Sequence, residues 1–79
     1  MAYNNGMLTP EIRLKFAQRL KALRKRYHLT QEKMAERLNM DTRNYQRLES
    51  NKPGAVKIDT IDKIAKALKL TPSKLLDFK

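Results

Sequence analysis

The sequence predicts an all-α protein, a compact bundle of about five helices, on three observations. Apolar residues recur at helical spacing in several short segments. Helix-start signals precede most of those segments. No stretch of useful length alternates apolar and polar residues as a half-buried strand would. Seventy-nine residues make one small domain, and a chain of that size buries only about 60% of its unfolded surface. There is no cysteine to cross-link it, and His, Asp and Glu are too sparsely grouped for a structural metal. Helix packing is therefore expected to supply the stability.

Residues 1–9 read as an N-terminal extension, either disordered or laid over apolar surface by Tyr3, Met7 and Leu8, and 10–79 as the domain. Thr9-Pro10-Glu11 supplies an N-cap, a proline at the first helical position and an acid in the first turn. Ile12, Phe16, Leu20, Leu23 and Tyr27 follow as an apolar stripe, which carries helix 1 to about residue 26, with Leu14 off the stripe and exposed. Thr30 caps helix 2, Leu29 is placed to staple onto Met34, and Met34, Ala35 and Leu38 form the inner face. Asn39 ends that helix in the left-handed conformation. Asp41 caps helix 3, which extends to about Ser50, with Met40 placed against Tyr45. "NKPGAVK" is a loop. Asp59 is expected to cap helix 4, whose Ile61, Ile64, Ala65 and Leu68 fall at i, i+3, i+4 and i+7. Thr71-Pro72 repeats the cap-plus-proline start for a short helix 5, with Leu70 stapled to Leu75.

Charge narrows the partners. Eighteen Lys and Arg against eight Asp and Glu leave +10, with a pI near 10.2. Seven bases (Arg13, Lys15, Arg19, Lys21, Arg24, Lys25, Arg26) lie between Glu11 and Glu32 with no acid among them. Such an excess costs self-repulsion in the compact state and points to a polyanion, since domain pI above about 9 is the electrostatic footprint of nucleic-acid binding. A solubilising face is the plainer alternative. No apolar run approaches the roughly 18 residues of a membrane span, and "MAYNNGML" lacks the basic flank and apolar stretch of a signal peptide. Absence of cysteine fits a reducing compartment. A cytoplasmic location with no membrane partner is the expectation.

The stretch "NMDTRNYQRLES" carries the most specific chemistry. At about 100° per residue, Thr42, Arg43, Gln46, Arg47 and Ser50 share one sector of helix 3, while Tyr45 and Leu48 point into the core. Arg can bond guanine O6 and N7 bidentately, and Gln or Asn can do the same with adenine N6 and N7. A solvated helix face would use the same residue types. Context separates the two readings: helix 2, a short turn around Asn39 and helix 3 have the layout of a helix-turn-helix.

From Leu20 to Leu76, about 57 of 79 residues, the chain resembles the Cro/phage-repressor helix-turn-helix family, also called the XRE type. "LKALRKRYHLTQEKMAERLNMDTRNYQRLESNK" and "IDTIDKIAKALKLTPSKLL" carry the resemblance; "LTQEKMA", "YQRLE" and "IAKALKLTPSKLL" are its specific sub-motifs. It implies a lambda-repressor-like DNA-binding domain that reads double-stranded DNA, a palindromic operator being one form of target. On it, Thr42, Arg43, Gln46 and Arg47 are the base-reading residues. Gln31, Asn44, Asn51 and Lys52 are phosphate contacts, the start of helix 2 facing the DNA backbone. Arg24 and Glu49 match a buried or half-buried ion pair tying helix 1 to helix 3. His28, Asn39, Asn51 and Lys69 stand where the family usually has glycine, and the loop over 51–57 is about one residue longer than usual.

A transcriptional regulator, a repressor in the first instance, is the functional expectation. One helix reads only a few base pairs, so a homodimer is expected, with helix 5, Leu76 and Phe78 as its self-contact. The alternative is an antitoxin bound to a toxin, or a coactivator-like protein-binding adaptor, on the same fold. His28 reads as a helix-end residue, Asp59 and Asp62 as first-turn acids and the methionines as core filler. No catalytic constellation, Gly-rich phosphate loop or metal-ligand spacing is present, so no enzyme activity, cofactor or metal is expected.

Overall fold

A computed structural model describes residues 10–51 and 56–77. Five helices occur among them: α1 (Pro10–Arg26), α2 (Gln31–Arg37), α3 (Thr42–Leu48), α4 (Ile58–Ala67) and α5 (Pro72–Leu75). No strand occurs among the described residues. Thr9, the proposed cap of α1, and the extension with Tyr3, Met7 and Leu8 lie outside the described residues, as do Lys52 and Phe78.

Caps define most helix starts. The Thr30 side chain accepts from Lys33 N at 3.0 Å, Asp41 from Arg43 N at 3.1 Å and Thr71 from Lys74 N at 3.2 Å. Each satisfies a first-turn amide that has no intrahelical partner. Helix 4 departs from expectation. Its N-cap is Lys57, without a side-chain cap bond, and Asp59 sits inside the first turn. There the carboxylate meets the positive end of the helix dipole instead of closing a cap. Helix 3 is also shorter than expected: it ends at Leu48, with Glu49 as C-cap and Ser50 beyond.

The links between helices turn through the left-handed region. His28 (φ 57°), Asn39 (φ 53°) and Lys69 (φ 57°) all have positive φ. In each case the following amide reaches back to the helix just finished: Leu29 N to Arg24 O, Met40 N to Ala35 O and Leu70 N to Ala65 O. These bonds end each helix and reverse the chain within a few residues. Asn tolerates this conformation comparatively well; His and Lys accept the Cβ clash that glycine would avoid.

The core gathers Phe16, Leu20, Leu23, Met34, Ala35, Leu38, Tyr45, Val56, Ile61, Ile64, Ala65, Leu68 and Leu75. Leu29, Met40 and Leu70 pack against its edge. Two ends of the helix 1 stripe do not reach it: Ile12 is 36% exposed, and Tyr27 is also exposed. Tyr27 instead uses its hydroxyl, donating to Leu68 O at 2.9 Å and tying α1 to the end of α4. Leu14, expected outside, is half-buried. Arg19 Nη2 donates to Lys74 O at 2.8 Å, linking α1 to α5. A basic side chain therefore acts as cross-bundle glue here.

Candidate nucleic-acid interface

Helix α3 is anchored by Tyr45, which is 0% exposed, with half-buried Leu48 packed against the core. That anchoring fixes the rotation of the helix. Arg43, Asn44, Gln46 and Arg47 are consequently exposed, while Thr42 is half-buried at the helix start. Neither arginine folds back on the protein interior. No acid lies between Asp41, whose side chain is occupied as the cap, and Glu49, whose side chain is turned inward.

Glu49 closes the inner side of this helix. Its side chain is 2% exposed, and every lone-pair site has a donor. Oε2 accepts from Arg24 Nε at 2.7 Å and from the Tyr45 hydroxyl. Oε1 accepts from Arg24 Nη2 at 3.1 Å and from Gln31 Nε2 at 3.1 Å. Arg24 Nη1 donates in turn to Leu29 O at 2.7 Å. One carboxylate thus joins α1, the link after it, the first residue of α2 and the body of α3. A buried charge is tolerable on these terms because its lost hydration is replaced by fixed donors, two of them from a guanidinium.

The electrostatics follow from that geometry. The carboxylate beside it raises the Arg24 guanidinium above its ordinary value, chiefly through their hydrogen bond. Burial opposes ionisation of Glu49, but the hydrogen bonds from Arg24, Tyr45 and Gln31 outweigh it and hold the carboxyl below its usual range. Burial pushes the Tyr45 phenol strongly up, and its bond to the Glu49 anion adds to the effect.

The candidate residues fall into two groups. Arg24, Gln31 and Glu49 come together in the inner network, and Gln46 joins it from the outer face by donating Nε2 to Gln31 Oε1 at 3.3 Å. Thr42, Arg43, Asn44 and Arg47 have side chains outside that network, and Asn51 is exposed just past α3. Tyr45 is more than the apolar anchor its place on the helix suggests, because its hydroxyl bonds Glu49. The Tyr45–Glu49 spacing of four residues, one helical turn, was the available signal. Among the described residues there is no cluster of three or more His, Cys, Asp or Glu able to hold a metal. No helix among them is long and apolar enough to cross a membrane.

A short helix with an acid-poor, donor-rich outer face, held across a tight turn by a second helix, defines a helix-turn-helix. The family model described as helix-turn-helix matches residues 20–75. The chain belongs to the helix-turn-helix family, of the Cro/phage-repressor or XRE type. Comparison with solved structures finds the same fold in a protein described as the hypothetical transcription factor NHTF from Neisseria. The TM-score is 0.75 at 21% identity, over 95% of this chain and 86% of that one. Comparison with curated proteins gives no match.

Proposed function

We propose that this protein is a sequence-specific, double-stranded DNA-binding transcriptional regulator, acting as a repressor by occupying its operator. The carrying observation is the outward face of α3, where Arg43, Gln46 and Arg47 are exposed on a helix whose rotation Tyr45 fixes. A helix of this width fits the major groove, about 12 Å across. In this reading Thr42, Arg43, Gln46 and Arg47 meet base edges. Gln31, Asn44, Asn51 and Lys52 hold phosphates, which gives affinity and register without sequence information. The family assignment and the fold shared with a protein described as a hypothetical transcription factor support a regulator over an enzyme. The net charge of +10 supports a polyanionic partner.

A homodimer on two half-sites about 34–36 Å apart would supply the specificity one short helix lacks. Leu76, 40% exposed beyond α5, supports a self-contact there. The second reading, an antitoxin or protein-binding adaptor, draws on Ile58, which is 73% exposed at the start of α4. Selection of binding sites from a random duplex library tests the regulator. A recovered consensus, palindromic for the dimer, is the expected result. Retention of random duplex alone, with binding that vanishes uniformly as salt rises, rejects sequence-specific regulation.

A further inference from the structure

The C-terminal ends of α1 and α4 meet at one end of the bundle. Tyr27 donates its hydroxyl to Leu68 O at 2.9 Å, across 41 positions of the chain. One residue past each of these stand His28 and Lys69, both exposed and both in the left-handed region at φ 57°. Lys25 and Arg26 are exposed in the last turn of α1. We propose that Lys25, Arg26, His28 and Lys69 form a second phosphate-binding surface, which holds the backbone of the same duplex where it runs past the reading helix. This surface rests on the DNA-binding role proposed above.

Charge and backbone strain point to it separately. No acid occurs over 12–31 or 63–76, so neither segment leading to this end carries a carboxylate. The next acid along α4, Asp62, pairs with Lys66 at 3.0 Å, and Lys66 is left out of the surface for that reason. Among the described residues, the side chains of Lys25, Arg26, His28 and Lys69 make no hydrogen bond or ion pair. The helix dipole gives a reason for cations in a last turn. It gives none for a Cβ in the left-handed region, where glycine avoids the clash with a carbonyl. The bonds that end these helices, His28 N to Lys25 O at 3.0 Å and Lys69 N to Lys66 O at 3.1 Å, come from the backbone and need no side chain. Strain of this kind gathers at functional positions. What the two strained residues share is an N–H donor brought to the same place.

The occupant follows from charge and continuity. Cationic groups spread over two helix ends suit a row of phosphates better than one small anion. His28 also lies three residues before Gln31, a proposed phosphate contact, so the surface continues the interface already described. Contacts made there add affinity and carry no sequence information.

The test uses the full chain and two mixed-sequence duplexes, about one and about three helical turns long. Lys69→Gly is the main variant, since it removes a charge while easing the backbone. On the long duplex its affinity at low salt is expected to fall about fivefold and its salt slope to become shallower by about one. On the short duplex it should match wild type within about twofold. His28→Gly is expected to weaken the long duplex as well. Lys63→Ala, which removes the same charge from the exposed face of α4, is the control. Equal losses from Lys69→Gly and Lys63→Ala overturn the surface, because net charge alone then explains both. Equal loss on both duplexes overturns the flanking geometry, as does a second duplex bound per protein chain by light scattering. NMR supplies an independent reading: the His28 and Lys69 amide resonances are expected to move on addition of the long duplex. Shifts confined to α2 and α3 overturn the proposal, as do equal shifts with sodium pyrophosphate at the same phosphate concentration. A long-duplex loss in Lys69→Gly, from a wild type that selects no consensus, keeps this surface and removes the sequence-reading role. A wild type that binds no duplex removes both.

Discussion

The Tyr45 hydroxyl donates to the Glu49 oxygen that also accepts from Arg24 Nε, one helical turn further along the chain. A side chain that anchors α3 in the apolar core thereby also completes the solvation of its buried charge. The rotation of the reading helix is set by packing and by hydrogen bonding together.

Glu49→Gln replaces an acceptor by a group whose NH₂ faces donors, and leaves the Arg24 charge buried. Breaking one partner of a buried pair costs about 3–5 kcal/mol, against about 1 at most for an exposed pair. A loss of that size is a large part of the 5–15 kcal/mol typical of a whole domain. The urea midpoint should fall accordingly. An unchanged midpoint would show that the pair contributes nothing.

The acid limb of stability should carry the signature of the same carboxylate. Its folded pKa is depressed, so its contribution is complete above the unfolded value, about 4.3, and disappears as pH falls through the folded value. Urea midpoints of wild type and Glu49→Gln should therefore differ most at neutral pH and begin to converge as pH falls below about 4. A gap of constant size down to pH 3 would be the contrary result.

Tyr45→Phe keeps the ring and removes one donor to a charged acceptor, a bond worth about 1.5–3 kcal/mol. The phenol is displaced upward, so its contribution is complete below the unfolded value near 10 and is lost only as pH rises through the folded one. Ultraviolet difference titration should show Tyr45 ionising together with unfolding at alkaline pH. A separate phenolate step in the folded protein would contradict the buried bond.

Arg43→Ala and Lys52→Ala should separate base reading from phosphate holding. The first is expected to cost about 1–3 kcal/mol at one position of the operator and to relax preference there. The second should weaken all duplexes alike and reduce the salt slope by about one. Similar profiles from both variants would remove the division between the two groups.

Lys69→Gly should raise stability by up to about 1 kcal/mol. It relieves a left-handed backbone strain of about 1–2 kcal/mol at the cost of greater freedom in the unfolded chain. His28→Gly should act in the same direction. Thermal melting checks both, and a lower melting point in either variant would show that its side chain contributes more than the strain.

Much of this molecule was legible in short-range pattern. Thr30, Asp41 and Thr71 announced their helices because a cap joins residues two or three apart. Ile61, Ile64, Ala65 and Leu68 announced a buried face because helical periodicity is itself local. The acid-poor outer sector of α3 was visible for the same reason. Ile12 and Tyr27 misled because periodicity identifies a face without saying how far along it the core extends. Asp59 misled because a cap and a first-turn acid carry the same residue type.

By itself the sequence determined the helix set, the turn residues and the net positive charge, all properties of neighbours along the chain. Tertiary structure alone decided that the Gln31 amide reaches Glu49 and that Gln46 leans on Gln31. Those partners lie 18 and 15 positions apart, and only the packing of α2 against α3 sets the distances between them.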